Sequence, residues 1–259
     1  MSNGIQDSGN SGYVNRFLIA TATTGNVRIE WVAARYNQTI PANWSMVQMN
    51  QFMNSYYPLR YQVADAQNLI ARECVRGDFE WLFLLEHDVI LPSEAFVVLQ
   101  EYMREKRYPV VSGLYFTRSH PSEPVLYRGR GNSYYADWKM GDKVWCDGVP
   151  TGCLLIHGSL IKAMWDESEE YRLGDIVTRR VFDTPRHAWS DPETGAFNTS
   201  SGTSDLEWCS RVMQGNFFAK AGWPEYQNMR WPFLVDTAKL FCRHINPNGE
   251  QFPPAGTRW

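Results

Sequence analysis

The sequence predicts an α/β fold, with a loop-rich C-terminal half. Two observations lead to it. Short apolar runs alternate with segments of helical period through the first 165 residues, which is the pattern of a sheet with crossover helices. The most apolar of those runs, Trp81 to Leu85, stops abruptly at Glu86, His87 and Asp88 before the chain turns apolar again. Charged groups beside a core are costly unless they are paired or bind a cation, and ligands of open α/β sheets sit at the carboxyl ends of strands.

Taken in order, Phe17 to Thr23 reads as a first buried strand that ends in the small, hydroxyl-rich turn Thr23-Thr24-Gly25-Asn26, with a helix from Val27 to Tyr36. Trp44 to Met49 reads as a second strand. Val63 to Arg76 reads as a helix, because Val63, Ala66, Ile70 and Cys74 fall three and four apart on one face. Asp65, Asn68 and Arg72 share another face. After the strand Trp81–Leu85, Pro92-Ser93-Glu94 starts a helix, with Ser93 as the candidate N-cap.

Pro109 to Phe116 is a further buried strand, and Thr117 to Val149 reads as loops and a hairpin. Thr151 to Ile156 returns as a strand and Ser159 to Trp165 as a short helix. Asp183 to Gly202 lacks periodicity and reads as a long loop, a length that points to function. Ser204 to Gln214 carries a helix-start signal, with Asp205 and Glu207 in its first turn. A short apolar run, Phe233 to Val235, and the stretch Cys242-Arg243-His244-Ile245 close the pattern.

Composition narrows the class. At 259 residues, 44% hydrophobic and 20% charged, the chain can bury a sizeable core. A net charge of −3 gives no global basic field, which excludes broad electrostatic attachment to nucleic acid or anionic membrane. Residues 1–14 are polar and rich in Gly, Ser and Asn, and read as a flexible tail without the apolar centre of a secretion signal. No apolar stretch approaches the roughly 20 residues needed to span a bilayer, so no stable membrane insertion is expected. Five scattered cysteines without a CxxC pair fit reduced thiols in a cytoplasmic protein.

The candidate chemistry is acidic. Glu86 and Asp88, joined by His244, suit a divalent cation held by oxygen and nitrogen ligands, with Mn²⁺ or Mg²⁺ expected before zinc because no thiolate is placed to help. The plainer alternatives are a solvated strand end and a surface histidine. Asp205 is a candidate general base and Glu207 its neighbour, against the alternative that both merely complement a helix dipole. Tyr134, Tyr135, Trp138 and Trp145 cluster in a loop-like region and are candidates to contact an acceptor.

The order of these pieces resembles a GT-A type glycosyltransferase, similar to the family 2 group with its bacterial and phage relatives. The resemblance is carried by FLIATATTGN, VADAQNLIARECV, FLLEHDVILP in place of the usual DxD strand end, VVSGLYFTR, VPTGCLLIHGSLI, GTSDLEWCSRVMQ in place of the TED helix start, and CRHI. It implies a Rossmann-like, mixed but mostly parallel central sheet flanked by helices. Residues 15–116 would form the nucleotide-sugar half of the domain and 117–259 the acceptor half.

By the same resemblance Asp88 and His244 bind the metal with Glu86, and Asp205 is the base of an inverting transferase. Thr21, Thr23, Asp65, Asn68, Arg72, Glu86 and His87 face the nucleotide-sugar donor. Trp145, Thr151, Gly152 and Glu207 face the acceptor. The donor nucleotide is expected to be UDP. The acceptor stays open among a polysaccharide, a protein, a lipid-linked sugar and a modified DNA base.

Two positions depart from the family pattern: Glu86 replaces the first acid of DxD, and Ser204 stands where TED has its Glu. Alternatives within reach of the same residues are a retaining transferase, a nucleotidyltransferase, a metal hydrolase and a non-catalytic sugar or nucleic-acid binding module.

Overall fold

The computed structural model of the chain describes residues 16–129 and 134–256; the tail expected over residues 1–14 lies outside them. The N-terminal half runs β1 (Phe17–Ala20), α1 (Ile29–Tyr36), α2 (Met46–Met53), α3 (Val63–Arg76), β2 (Trp81–Leu85), β3 (Val89–Ile90), α4 (Ala95–Glu105) and β4 (Val110–Leu114). It continues with β5 (Lys143–Cys146), β6 (Cys153–His157), α5 (Gly158–Glu167), β7 (Glu170–Leu173), β8 (Ile176–Arg179), β9 (Arg186–Ser190) and β10 (Phe197–Ser201). The last elements are α6 (Ser204–Gln214), α7 (Phe217–Lys220), α8 (Pro224–Gln227), β11 (Phe233–Phe241), β12 (Arg243–Ile245) and β13 (Gln251–Phe252).

The apolar runs form a six-stranded sheet in the order β1-β2-β6-β4-β11-β5. β1 pairs with β2 and β4 with β11 in parallel, whereas β6 is antiparallel to both its neighbours and β5 antiparallel to β11. The fold is therefore a mixed α/β, Rossmann-like architecture whose sheet is only partly parallel, in place of the mostly parallel one expected. The difference comes from β6, which inserts between β2 and β4 and reverses direction. Every residue of β1, β2 and β4 is buried, as a strand covered on both faces requires. Buried side chains from α3, α4 and α5, such as Ile70, Phe96 and Leu160, join them in one hydrophobic cluster.

Three local expectations need correction. Trp44 to Met49 is not a strand: Ser45 caps a helix through a capping box with Gln48, and α2 follows. That pairing satisfies backbone donors at the helix start, and it outweighs the strand-like look of the apolar residues. Residues 183–202 are not an irregular loop but the antiparallel hairpin β9–β10. Its turn is closed by Asp191, whose Oδ1 accepts from the amides of Glu193 and Thr194, and by Gly195 at a φ of +68°. α4 is preceded by Glu94 rather than Ser93 as its cap residue.

At Asp236 β11 bulges out of register before it pairs with β4 again at Phe241. This buried carboxylate accepts from the Tyr102 hydroxyl at 2.7 Å and from the amides of Ala238 and Lys239 at 3.0 and 2.9 Å. The tight turn breaks the β11 register between Asp236 and Phe241. β12 follows and forms a second small sheet in the order β13-β12-β3. Among the described residues no helix is long and apolar enough to cross a membrane.

Candidate functional site

The carboxyl end of β2 is fixed on three sides. The Glu86 amide donates to the Gly152 carbonyl at 3.0 Å, the Trp31 indole donates to the Glu86 carbonyl at 2.8 Å, and the Val89 amide closes a turn onto that carbonyl at 3.2 Å. β3 then pairs antiparallel with β12, so that His244 lies opposite Val89, and the Ile245 amide donates to the Asp88 carbonyl at 2.8 Å. This pairing places His244 beside Asp88 across 156 residues of sequence. Ligand atoms of Glu86, Asp88 and His244 all lie within 4.8 Å of one another.

The donor set fits a metal ion. His244 Nδ1 lies 2.9 Å from the Phe116 carbonyl, which can only accept, so that nitrogen carries the hydrogen. Its Nε2 is buried without a hydrogen-bond partner and faces Asp88 Oδ2 at 3.4 Å. A lone pair set against a carboxylate in this way is an arrangement that a bound cation would satisfy. A histidine whose far nitrogen donates to a backbone carbonyl is the usual preparation of a metal ligand.

Charge is unevenly distributed over the three groups. The Glu86 carboxyl is pushed up to about 7, first by burial and then by the negative charges of Asp88 and Asp205. Burial acts to raise Asp88 as well, but His244, Arg118 and His87 together outweigh it and hold that carboxyl below its usual range. Arg118 Nη1 donates to Asp88 Oδ2 at 2.7 Å. Burial raises the Asp205 carboxyl, although Thr203 and the Leu206 amide, which donates to Oδ1 at 2.8 Å, oppose the shift.

Three adjoining cavities surround this centre. One of about 280 Å³ lies between β1, α3 and β2 and is lined by Ala20, Val63, Gln67, Glu86, Asp88 and Arg118, among others. A second, of about 720 Å³, shares Val63, Glu86 and Thr151 with it and reaches Asp65, Arg186 and Asp205. A third, of about 600 Å³, shares His87, Asp88 and Arg118 with the first and is bounded by Asn26, Arg28 and Asn246. Together they make a trough over the carboxyl ends of β1 and β2, with Glu86 and Asp88 at its middle and Asp205 toward one end.

No family model matches the sequence, and no curated protein matches it significantly. Among solved structures the chain is similar to A197 from STIV, at 13% identity over 94% of this chain and 96% of that one, with a TM-score of 0.48. It is also similar to a protein described as a glucose-1-phosphate thymidylyltransferase from Bacillus anthracis, at 10% identity over 60% of this chain and 76% of that one, with a TM-score of 0.31. A third likeness is to a CMP:2-keto-3-deoxy-manno-octonic acid synthetase complexed with CTP, at 9% identity over 85% and 88% of the two chains, with a TM-score of 0.28. None reaches a TM-score of 0.5, so function rests on the residues of the site itself.

The other sequence candidates divide between the trough and the frame. Asp65 lines the trough, its carboxylate accepting from the Tyr171 hydroxyl at 2.8 Å, and His87 lies on its floor with Nδ1 3.3 Å from the Ala22 carbonyl. Thr151 donates to Glu86 Oε1 at 3.0 Å and accepts from Gln67 Nε2 at 3.2 Å. Gly152 supports the same centre: a methyl group there would overlap the Tyr115 hydroxyl, which accepts from its amide at 3.0 Å. Thr151 and Gly152 thus both hold Glu86 in place.

Thr21 is buried in the crossing from β1, its amide bonded to the Tyr56 carbonyl, and Thr23 closes the following turn by accepting from the Gly25 amide. Asn68 has a framework role. Its amide nitrogen donates to the Phe182 carbonyl and the Tyr171 hydroxyl, both at 2.9 Å, and its oxygen accepts from the Phe182 amide at 2.7 Å. Arg72 sits two turns along α3 from Asp65 and acts on the Tyr56 hydroxyl.

Trp145 is paired within the main sheet opposite Leu234 and stacks among Tyr108 and Tyr226, so it belongs to the aromatic packing of that edge. Tyr135 lies under the Arg128 guanidinium at 3.7 Å, which leaves Tyr134 as the exposed member of that aromatic group. Glu207 opens into a different cavity of about 340 Å³ with Asp147 and Arg230.

Sequence reasoning did not single out Arg118, Gln67 or Tyr115. Gln67 is buried, and its Oε1 has no partner at the wall of the first cavity. The available signal was modest: Arg118 follows the β4 run directly, and Gln67 lies one residue from Asn68 on α3.

Proposed function

We propose that the chain is a metal-dependent glycosyltransferase that moves a sugar from a nucleoside diphosphate donor, UDP by preference, to an acceptor hydroxyl with inversion at the anomeric carbon. The observation that carries the reading is the partnerless Nε2 of His244 facing Asp88, with Glu86 beside them and Asp205 on the same trough. Asp88, His244 and Glu86 would hold a divalent ion, Mn²⁺ or Mg²⁺, whose charge would help the diphosphate to leave.

The chain's own residues account for the remaining tasks. Asp205 takes the proton of the attacking hydroxyl; its raised affinity for protons, caused by burial, makes it a better base than a solvated aspartate. Apolar walls from Ala20, Val63, Ile70 and Leu84 limit water in the inner cavity, which restrains hydrolysis of the donor. Asp65, on the adjoining cavity, and His87, on the inner one, would meet ribose and phosphate.

The test is a panel of nucleotide sugars incubated with Mn²⁺, Mg²⁺ or EDTA, with released nucleotide as the readout and NMR of the product for its anomer. Turnover that needs the metal and falls about 10² to 10⁴ fold in Asp205→Asn is expected. Failure of every donor to react or to raise the melting temperature with any metal overturns the reading.

A further inference from the structure

We propose that Arg118 is a built-in placeholder for the metal, one that leaves Asp88 for the donor diphosphate when the ion binds. This inference rests on the transferase reading above and adds a residue that couples its two ligands. Arg118 Nη1 is 2.7 Å from Asp88 Oδ2, the same oxygen that faces His244 Nε2 at 3.4 Å. In this state the guanidinium sets a full positive charge against the Asp88 carboxylate.

The guanidinium and a divalent ion cannot share that oxygen cheaply. With metal–oxygen bonds near 2.1 Å, a guanidinium left in place would sit roughly 4 Å from a doubly charged ion, and the two repel strongly at such range. The Asp88 and His244 side chains are 18% and 12% exposed and have little room to adjust, whereas the Arg118 side chain is 41% exposed and free to rotate. Arg118 is therefore the group that moves.

Its destinations are already defined. Arg118 lines both the inner cavity and the neighbouring one bounded by Asn26, Arg28 and Asn246. Arg28 in that second cavity is held by Glu30 at 2.7 Å and by the Pro247 carbonyl, so its charge is spent locally. Among the described residues that line the two cavities touching Asp88, Arg118 is then the cation available to a diphosphate, and a guanidinium matches phosphate oxygens in a two-pronged fashion. Each ligand draws Arg118 off Asp88 or is favoured by its departure, so metal and nucleotide bind with positive, reciprocal coupling.

The experiment is calorimetric titration of the full chain with Mn²⁺, with and without saturating UDP, in wild type, Arg118→Met and Arg118→Lys. Thermal melting checks that each variant is folded, with Arg118→Gln as the substitute for an unfolded Met variant. In wild type, UDP is expected to tighten Mn²⁺ binding by about tenfold or more. In Arg118→Met, Mn²⁺ alone should bind about fivefold or more tighter than in wild type, and the gain from UDP should shrink by a similar factor.

Arg118→Lys, which keeps the charge, should return Mn²⁺ affinity toward wild type. Unchanged or weaker Mn²⁺ binding in Arg118→Met overturns the placeholder, as does tighter binding with the full UDP gain retained, which would make Arg118 a bystander charge. If wild type and all variants bind no Mn²⁺ with or without UDP, the metal-site reading itself fails.

Discussion

Glu86 offers a measurement that isolates one buried carboxyl. Replacing it with Gln retains an oxygen to accept from Thr151, now at 3.0 Å, and removes the ionisation. In the unfolded chain the carboxyl titrates near its ordinary 4.5, and in the folded chain at about 7. As pH rises through that window the unfolded state loses its proton first, so metal-free wild type loses stability from about 4.5 upward and the loss is complete above about 7.

At roughly 1.4 kcal/mol per pH unit the full shift sets a ceiling of about 3.5 kcal/mol, and the partial solvent access of the Glu86 side chain reduces it to about 1–2 kcal/mol. The assay is urea unfolding of both proteins in EDTA at about pH 5 and pH 8. Glu86→Gln should gain about 1–2 kcal/mol on wild type between those conditions, and Mn²⁺ should restore wild type at the higher pH. A difference between the two proteins that stays constant within about 0.5 kcal/mol refutes the buried, charge-crowded carboxyl.

Two further substitutions separate frame from chemistry. Gly152→Ala forces a methyl group against the Tyr115 hydroxyl and, at 2.8 Å, the Val89 side chain; it should cost about 1–3 kcal/mol in urea unfolding and weaken Mn²⁺ binding through the Glu86 amide it supports. Asn68→Ala should cost about 2–4 kcal/mol, because it strands the buried amide and carbonyl of Phe182, while UDP affinity measured by calorimetry stays within about twofold.

Much of this architecture is legible in the sequence where the signal is local. The strand Trp81–Leu85 with its acidic end, the helix Val63–Arg76 and the helix Ser204–Gln214 all sit where the apolar pattern puts them, although Thr203 and not Ser204 occupies the cap position of the last. Glu86 and Asp88 stand out for the same reason: two acids within three residues of the end of a fully buried strand have few neutral explanations. Failures arise where a competing local signal or a distant pairing decides. Ser45 and Gln48 turn an apolar run into a helix, and Asp191 with Gly195 turns a polar stretch into a hairpin.

Distance explains the remainder. His244 reaches Asp88 only because β12 pairs with β3, and Arg118 reaches the same oxygen from beyond β4. Neither pairing has a signature in residue spacing. The stretch around Trp145 departs in the opposite direction: it reads as a loop, yet β5 carries Trp145 into the sheet edge against Tyr108 and Tyr226.

The small sheet of β3, β12 and β13 makes the site a product of late synthesis. Glu86 and Asp88 leave the ribosome early, whereas His244 and the strand that seats it follow after more than half of the chain has been made. A nascent chain can fold much of the β1–β6 framework and still present only two of the three ligands. The clasp that completes the ligand set is also held by few residues, Arg243 and His244 on one side and Val89 and Ile90 on the other. An ion bound there would act as a rivet between β3 and β12, and its uptake would report that the chain through His244 has been made and folded back onto Asp88.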